Sequence, residues 1–185
     1  TDGSIFITGI DLAVERSRAL ALTNFAATYS QLPGNLTVYQ NLRVFGLLYS
    51  VPDLARRIEE LLSEFSLEQF RDTKTGVLSS GEQARVCIAK AMINKPRLLL
   101  LDEPTASLDP VTARDIRNNI RGFAKQQTEG VLWTSHNMHE VEEVCDRVLF
   151  LFEGKILLEG APKELIDKHG ALNLEELFIS VVGQQ

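Results

Sequence analysis

The sequence predicts an α/β fold with a mainly parallel sheet flanked by helices. The first observation is the continuous apolar run at 98–101, which ends in two carboxylates and a proline. A short, uninterrupted apolar run is typical of a strand buried in a parallel sheet. The second observation is a similar run at 131–135. The third is that segments with one apolar stripe at helical spacing lie around these runs, which predicts helices packed on the sheet.

Two adjacent carboxylates stand where the 98–101 strand is predicted to surface. Because side chains alternate faces along an extended chain, Asp102 and Glu103 are expected to diverge rather than share one ligand. That geometry suits one carboxylate for a metal ion and the other for a water molecule. Pro104 lacks the amide that would continue the sheet, so it is predicted to end the strand. The alternative is an ordinary core strand followed by an acidic turn.

Short motifs on either side of this strand favour the functional interpretation. Leu-Ser-Ser-Gly-Glu-Gln at 78–83 precedes the strand, Ser-Leu-Asp-Pro at 107–110 follows it, and Ser135-His136 comes later. Together with the 98–101 strand and its carboxylates, these motifs resemble the ATP-binding cassette (ABC) ATPases in order and spacing. In that family 78–83 corresponds to the signature motif, the strand to Walker B, 107–110 to the D-loop and His136 to the switch histidine. The resemblance implies a P-loop NTPase-like fold with an inserted helical subdomain.

The resemblance also implies site residues and cofactors. Asp102 would hold Mg²⁺ directly or through water, and Glu103 would polarise the water that attacks ATP. His136 would contact the γ-phosphate; a structural histidine at a strand end is the alternative. Asp109, with Pro110 after it, is expected to cap a helix. By resemblance Asp109 is also the D-loop aspartate that communicates with the nucleotide site of a second ABC ATPase subunit.

The signature segment allows two interpretations. Ser79 and Ser80 each stand three residues before Glu82 or Gln83, which is the spacing of a capping box. A helix N-terminus with free amides also attracts phosphate. In the ABC family this helix faces the ATP of the other subunit in a dimer, and Ser79 and Gly81 would contact its γ-phosphate. Ser80 stands where the family usually has Gly, and its Cβ is expected to crowd the phosphate slightly.

The Q-loop assignment rests on an expected core strand at 18–23. By resemblance the residue after this strand takes the place of the Q-loop glutamine, which reaches the metal and the attacking water. That residue is Asn24, a shorter amide with the same donor and acceptor groups. Gln31 is the other candidate, and both remain open at this point.

Residues 37–94 are expected to form a helical subdomain that includes the signature helix, inside a single partial ABC ATPase domain. Residues 1–36 and 95–185 would form the α/β core with a C-terminal hairpin and tail. Thr37 is predicted to cap one helix, and Pro52 to open the next. In the family this surface, with the turn at 29–35, grips the coupling helix of a membrane-spanning transporter subunit. A plain helical hairpin is the alternative.

Composition excludes several function classes. The formal net charge of −6 argues against a nucleic-acid partner, because neutralising phosphates needs clustered Lys and Arg. No apolar run approaches the ~20 residues of a membrane span. The resemblance therefore implies a peripheral protein on the cytoplasmic face of a membrane. The tail at 174–178 is similar to that of ATPases serving exporters with a separate membrane chain.

The phosphate-binding motif G-x-x-x-x-G-K-[ST] does not occur in the sequence, and the only Gly-Lys pair is Gly154-Lys155, followed by Ile156. In the family this P-loop precedes the matching segment. We therefore expect a longer gene product, and we expect the present chain not to hydrolyse ATP alone. The alternative is a natural, non-catalytic partner that presents its signature motif to a competent subunit. A soluble ABC ATPase of repair or translation is a third option.

Overall fold

The computed structural model describes residues 3–27, 32–127 and 130–183. The chain forms two compact units, Thr1–Thr134 and Ser135–Gln185. Each unit has its own apolar core. The expected separation of a 37–94 subdomain stays a prediction, because the core cluster of the first unit runs through that segment and the strands alike.

The first unit alternates strands and helices. In chain order it contains β1 (Phe6–Ile7), β2 (Ile10–Asp11), α1 (Arg16–Ala21), β3 (Thr23–Ala27), α2 (Val38–Leu48), α3 (Leu54–Glu64), the 3-10 turns Glu68–Phe70 and Thr75–Val77, α4 (Ser80–Ala91), β4 (Leu98–Asp102), α5 (Pro110–Gln127) and β5 (Gly130–Thr134).

The predicted parallel sheet is confirmed. Strands β3, β4 and β5 form a three-stranded parallel sheet in that order. The register places Ala27, Asp102 and Thr134 side by side at the carboxyl ends of the strands. Strand β4 ends at Asp102, two residues before Pro104, as expected. The sheet therefore places the Asp102 carboxylate at the edge where parallel sheets commonly bind ligands.

The two faces of this sheet differ in burial. Leu99 and Leu101 are fully buried against the helices of the unit. On the opposite face Phe25 is 46% exposed and Leu132 is 54% exposed, with the partly buried Leu100 between them in register. The expectation of a second strand buried on both faces is therefore wrong for β5, which packs one face only.

The expected core strand at 18–23 is also wrong. Residues Arg16–Ala21 form helix α1, and the strand begins at Thr23. Ala19 is fully buried in a small cluster with Ile7 and Ile10 of the β1–β2 hairpin. The alternation of apolar residues in this short segment fits a helical turn as well as a strand, and packing against the hairpin decides between them.

Local signals predicted the other helices of the first unit well. Thr37 caps α2 through a capping box with Gln40, as expected. Helix α3 begins at Leu54 rather than at Pro52, with Asp53 in the left-handed region at φ 46°. Its apolar side carries Ile58, Leu61 and Leu62, all fully buried, as the helical spacing predicts.

The second unit contains α6 (Met138–Val144), the hairpin β6 (Val148–Phe152) and β7 (Lys155–Gly160), α7 (Pro162–His169) and α8 (Leu174–Val182). The hairpin and the helix opened by Pro162 are confirmed. Phe150 packs edge-on against Phe178 with ring centroids 5.2 Å apart, which joins the hairpin to the last helix. Within the described ranges of both units, no helix has the length and apolar character needed to cross a membrane.

Candidate functional site

Asp102 is held by the neighbouring strand. The Thr134 hydroxyl donates a hydrogen bond of 2.6 Å to Asp102 Oδ1. Both side chains are exposed at the carboxyl edge of the sheet. A short bond from a neutral hydroxyl to a carboxylate is a charge-assisted hydrogen bond, stronger than one between neutral groups. The carboxylate is thus oriented while it stays accessible to solvent.

Glu103 leaves the strand in an unusual backbone conformation. Its φ is 50°, in the left-handed region that non-glycine residues rarely adopt. Its amide donates to Thr134 O at 3.1 Å, and its carbonyl accepts from Ala106 N at 3.1 Å. The argument that Asp102 and Glu103 diverge by strand alternation therefore does not apply, because the chain is no longer extended at Glu103. Backbone strain of this kind is often found at functional sites.

The Asp102 edge fits a magnesium ion. Mg²⁺ prefers oxygen ligands and is commonly held by one or two carboxylates together with water and substrate phosphates. Among the described residues, no group of three or more His, Cys, Asp or Glu side chains forms a complete metal cage. A single oriented, exposed carboxylate is consistent with an ion that takes its remaining ligands from a nucleotide and water.

The signature segment forms the capped N-terminus of α4. Ser79 N donates to Glu82 Oε2 at 2.7 Å, and Glu82 N donates to Ser79 Oγ at 3.4 Å. Of the two possible capping boxes, the structure forms the one between Ser79 and Glu82. Ser79 and Ser80 are exposed. The capping interpretation is therefore confirmed, and it leaves the helix N-terminus open to solvent.

The N-termini of α4 and α5 lie close together. A methyl group placed on Gly81 would lie 3.1 Å from Thr112 Cγ2, so a larger residue at 81 would press on α5. Asp109 Oδ1 accepts from the amides of Val111 at 3.1 Å and Thr112 at 3.1 Å, which caps α5 as expected. Hydrogen bonds from Thr112, first its side chain and then its amide, lower the pKa of Asp109 below its usual range. Asp109 therefore places a carboxylate at the N-terminus of α5, the helix whose Thr112 lies next to Gly81.

A cavity of about 360 Å³ borders both the signature helix and the loop that follows Glu103. Its wall includes Ala27 at the end of β3, Ser80 and Cys87 on α4, and Pro104 and Ser107 on the loop. All of these residues belong to the first unit. The cavity therefore brings the predicted nucleotide-binding Ser80 and the loop behind the predicted catalytic carboxylate to the same part of the molecule.

The opposite end of α4 is anchored in the core. Lys90 is 6% exposed, and its Nζ donates to Phe25 O of strand β3 at 2.7 Å. Burial disfavours the charged ammonium and lowers the pKa of Lys90. Arg57 of α3 donates from Nη2 to Met92 O at 2.7 Å at the C-terminus of α4. A cation at a helix C-terminus is favourable because the unpaired carbonyls carry partial negative charge.

Asn24 does not lie at a strand end, which corrects the first Q-loop assignment. It is the second residue of β3, 6% exposed, and its Nδ2 donates to Asn94 Oδ1 at 2.8 Å. Its Oδ1 accepts from Phe25 N at 2.8 Å. Both functional groups of the amide are therefore used inside the protein, beside the C-terminal end of α4. Gln31, the other candidate, lies outside the described residues.

His136 belongs to the second unit and is exposed. The residues around it form a local network, in which Ser135 Oγ donates to Glu140 Oε2 at 3.1 Å and accepts from Asn137 N at 3.1 Å. Asn137 in turn caps α6 by accepting from Glu140 N. The network fixes the backbone on both sides of His136, whose predicted contact with the γ-phosphate stays a prediction.

The contacts of two residues were not predicted from the sequence. The sequence predicts Thr134 only as part of a core strand, although a hydroxyl at the end of a strand next to a carboxylate-bearing strand is a signal for a side-chain contact. Lys90 was not singled out, although a lysine among the small apolar residues of α4 is unusual. The Thr134 contact depends on the strand register and the Lys90 contact on how α4 packs against β3, and neither was known from the sequence.

The fold is shared with an ATP-binding subunit of known structure. A solved ATP-binding subunit of an ABC transporter superposes with a TM-score of 0.83 at 25% identity, covering 98% of this chain and 77% of the other. The ABC transporter family model matches residues 1–106. The chain therefore belongs to the ABC transporter family.

Two curated relatives lie close to the chain in sequence. The lipopolysaccharide export system ATP-binding protein LptB of Acidithiobacillus ferridurans is 39% identical over 144 residues, which is 74% of this chain and 59% of that protein. The Nod factor export ATP-binding protein I of Rhizobium sp. (strain N33) is 34% identical over 180 residues, which is 95% of this chain and 58% of that protein. The chain thus spans about three fifths of the length of both relatives.

Proposed function

We propose that the chain is the ATP-binding part of a transporter subunit that couples ATP hydrolysis to export through a separate membrane subunit. The observation that carries the proposal is the carboxyl edge of the sheet, where β4 presents Asp102 and Glu103 beside Thr134. Membership of the ABC transporter family supports it. Export is favoured because both relatives described above are named as export ATP-binding proteins.

In this proposal the two carboxylates have separate roles in the reaction. A water oxygen attacks the γ-phosphorus of ATP, and the bond from this phosphorus to the bridging oxygen breaks with its electron pair going to ADP. Glu103 accepts the proton of the attacking water as general base. Asp102 would hold Mg²⁺, which would supply positive charge to offset the charge of the phosphates. His136 would contact the γ-phosphate.

The same proposal requires a second ABC ATPase subunit. Ser79, Ser80 and Gly81 lie at an open helix N-terminus, which suits a phosphate supplied from outside the unit. Asp109 caps α5, whose Thr112 lies next to Gly81, and Asp109 would communicate with the nucleotide site of the partner subunit. The membrane-spanning subunit would bind the helical segment that begins with α2, at the cytoplasmic face of the membrane.

A second candidate is a non-catalytic partner that only presents its signature motif. The observation that favours it is the fully formed and exposed N-terminus of α4, which presents the signature residues. We also propose that the 185 residues alone do not hydrolyse ATP, because they do not contain the G-x-x-x-x-G-K-[ST] motif. Tight binding of Mg-ATP to this chain in titration calorimetry would contradict that statement.

The test is an ATPase measurement on the natively expressed protein with Glu103→Gln. Because positioned acid–base groups contribute ~10²–10⁴ in rate, the variant is expected to lose hydrolysis by about this factor while still binding ATP. Glu175→Gln, an exposed carboxylate on α8, is the matched control and is expected to keep full activity.

Near-full turnover in Glu103→Gln would overturn the role of Glu103. The intact mass of the native protein separates the two candidates. A mass several kilodaltons above the 20.6 kDa of this chain would favour the ATPase, because the relatives are longer. A mass equal to 20.6 kDa would favour the non-catalytic partner.

A further inference from the structure

Two polar side chains are buried where the loop before α2 meets the loop before α4. Asn41, on α2, is fully buried, and Thr75 is 4% exposed. We propose that this Asn41–Thr75 clamp positions the signature segment at 78–83 relative to the loop at 33–37. The inference rests on the proposed function, in which the signature segment would contact a phosphate held by the partner subunit.

The amide group of Asn41 lies among oxygen atoms. Its Nδ2 is 3.1 to 3.4 Å from four acceptors of the described residues, which are Pro33 O, Leu36 O, Thr37 O and Thr75 Oγ1. An NH2 group shares its two hydrogens among such acceptors, whereas an oxygen in its place would meet their lone pairs. The hydrogen-bonding pattern therefore requires a donor at this point, and the Asn41 amide supplies it.

Thr75 completes the clamp from the loop before α4. Its hydroxyl accepts from Asn41 Nδ2 at 3.2 Å and donates to Pro33 O at 2.9 Å. The hydroxyl thus links a side chain of α2 to the backbone of the 33–37 loop. Asn41 Nδ2 and Pro33 O also have other partners, so loss of the hydroxyl weakens the clamp without leaving either group unpaired.

Backbone pairing connects the clamp to the signature segment. Thr75 N donates to Leu36 O at 3.0 Å, and Gly76 N donates to Gly34 O at 3.0 Å. The two loops approach closely, because a Cβ on Gly76 would lie 2.9 Å from Gly34 O. Ser79, the N-cap of α4, follows Gly76 by three residues. The paired loops therefore hold the chain directly before the N-terminus of α4.

Substitutions can separate the hydroxyl of Thr75 from the shape of its side chain. Thr75→Val keeps the branched shape and removes the hydroxyl, whereas Thr75→Ser keeps the hydroxyl. Thr73→Val is the matched control, because it removes a hydroxyl from a partly exposed position of the same loop. Asn41→Ala removes the other half of the clamp.

The first measurement is hydrogen exchange of the natively expressed protein, followed by mass spectrometry of peptides covering 73–82 and 84–91. One hydrogen bond changes a local opening equilibrium by about fivefold, so exchange in 73–82 is expected to be about fivefold faster in Thr75→Val. Exchange in 84–91, the later turns of α4, is expected to stay unchanged. Thr75→Ser and Thr73→Val are expected to match the unsubstituted protein in both peptides. In the Asn41→Ala background the effect of Thr75→Val is expected to shrink, because the two side chains share a hydrogen bond.

The second measurement is the ATPase kinetics of the same variants. A misplaced group can cost up to about 10²-fold in rate, so Thr75→Val is expected to lower kcat several-fold or more. The KM for ATP is expected to change by less than about twofold, because the signature segment would meet a nucleotide that the partner subunit already holds. Thr75→Ser is expected to keep the kcat of the unsubstituted protein.

Equal acceleration of exchange in both peptides would overturn the inference, because the hydroxyl would then stabilise the whole unit rather than position one segment. Unchanged exchange in 73–82, a serine variant as impaired as the valine variant, or an unchanged kcat in Thr75→Val would also overturn it. If Asn41→Ala does not fold, the three threonine variants still decide between these outcomes. An unsubstituted protein without ATPase activity would instead overturn the proposed function, and the exchange pattern alone would then decide whether the clamp holds the signature segment.

Discussion

The two ends of helix α4 are built in opposite ways. The C-terminal end is anchored by buried or nearly buried polar groups, with Lys90 bonded to β3 and Arg57 bonded to the last turn. The N-terminal end exposes Ser79 and Ser80 and carries a capping box between Ser79 and Glu82. The difference shows that α4 is held at its C-terminal end, so that its exposed N-terminus can stay open and polar without losing its position.

This comparison predicts that changes at the anchored end cost more stability than changes at exposed positions nearby. Arg57→Met removes hydrogen bonds from a charged group to Met92 O and Ile93 O. Hydrogen bonds to charged groups are worth roughly 1.5–3 kcal/mol, so the free energy of unfolding is expected to fall by about 2 kcal/mol. Denaturant unfolding followed by circular dichroism measures this change.

Arg56→Met is the matched control, because the side chain of Arg56 is 82% exposed and pairs with Glu60 on the surface. An exposed ion pair contributes less than about 1 kcal/mol, so this variant is expected to stay close to the unsubstituted chain. Equal losses for Arg56→Met and Arg57→Met would break the comparison, since the anchor would then be no stronger than a surface pair.

A second prediction concerns the strained backbone at the open side of the site. Glu103 has φ 50°, a conformation that costs a non-glycine residue roughly 1–2 kcal/mol. Glu103→Gly is therefore expected to be about 1 kcal/mol more stable than Glu103→Gln, because both lack the carboxylate but only glycine adopts this conformation freely. Thermal unfolding of the two variants measures the difference. A glycine variant that unfolds at the lower temperature would show that the backbone here is not under strain.

The third and smallest effect is a pH dependence caused by Lys90. Burial lowers the pKa of Lys90 below its ordinary 10.5, so the unfolded chain binds more protons than the folded chain between the lowered pKa and 10.5. Stability contributed by this group therefore rises as pH increases through that window. The neighbouring Cys87 acts in the opposite direction, because burial raises the pKa of its thiol.

The measurement should therefore compare Cys87→Ala with Cys87→Ala/Lys90→Met by chemical unfolding from neutral to alkaline pH. The single variant is expected to gain stability relative to the double variant as the pH approaches 10.5. A constant difference in the free energy of unfolding over the whole pH range would mean that the pKa of Lys90 is the same in the folded and unfolded states. Burial of Lys90 would then have no electrostatic cost.

The sequence predicted those features of the fold that depend on neighbouring residues, namely helix caps and a strand end. The Thr37 cap, the Asp109 cap before Pro110, and the end of β4 before Pro104 were predicted and are present. The Ser79 capping box is one of the two that the spacing allowed. Each depends on atoms within about one helical turn or a few strand residues, so the residues themselves carry the information.

The errors arose where distant packing decides. The 18–23 segment was predicted as a strand, but contact of Ala19 with the β1–β2 hairpin makes it a helix. Asn24 was predicted at a nucleotide, but its amide bonds to Asn94, which lies 70 residues away. Neither partner can be deduced from short-range spacing, because an apolar alternation and a lone amide are compatible with several environments.

The sequence by itself determined the family motifs, the helix caps and the strand end next to them, and the residue types at the site. Only the tertiary structure decided the register that pairs Thr134 with Asp102, the close approach of Gly81 to Thr112, and the burial of Lys90 against β3. The physical reason is that helix caps and strand ends are set by neighbouring residues, whereas register and burial follow from how distant segments pack together.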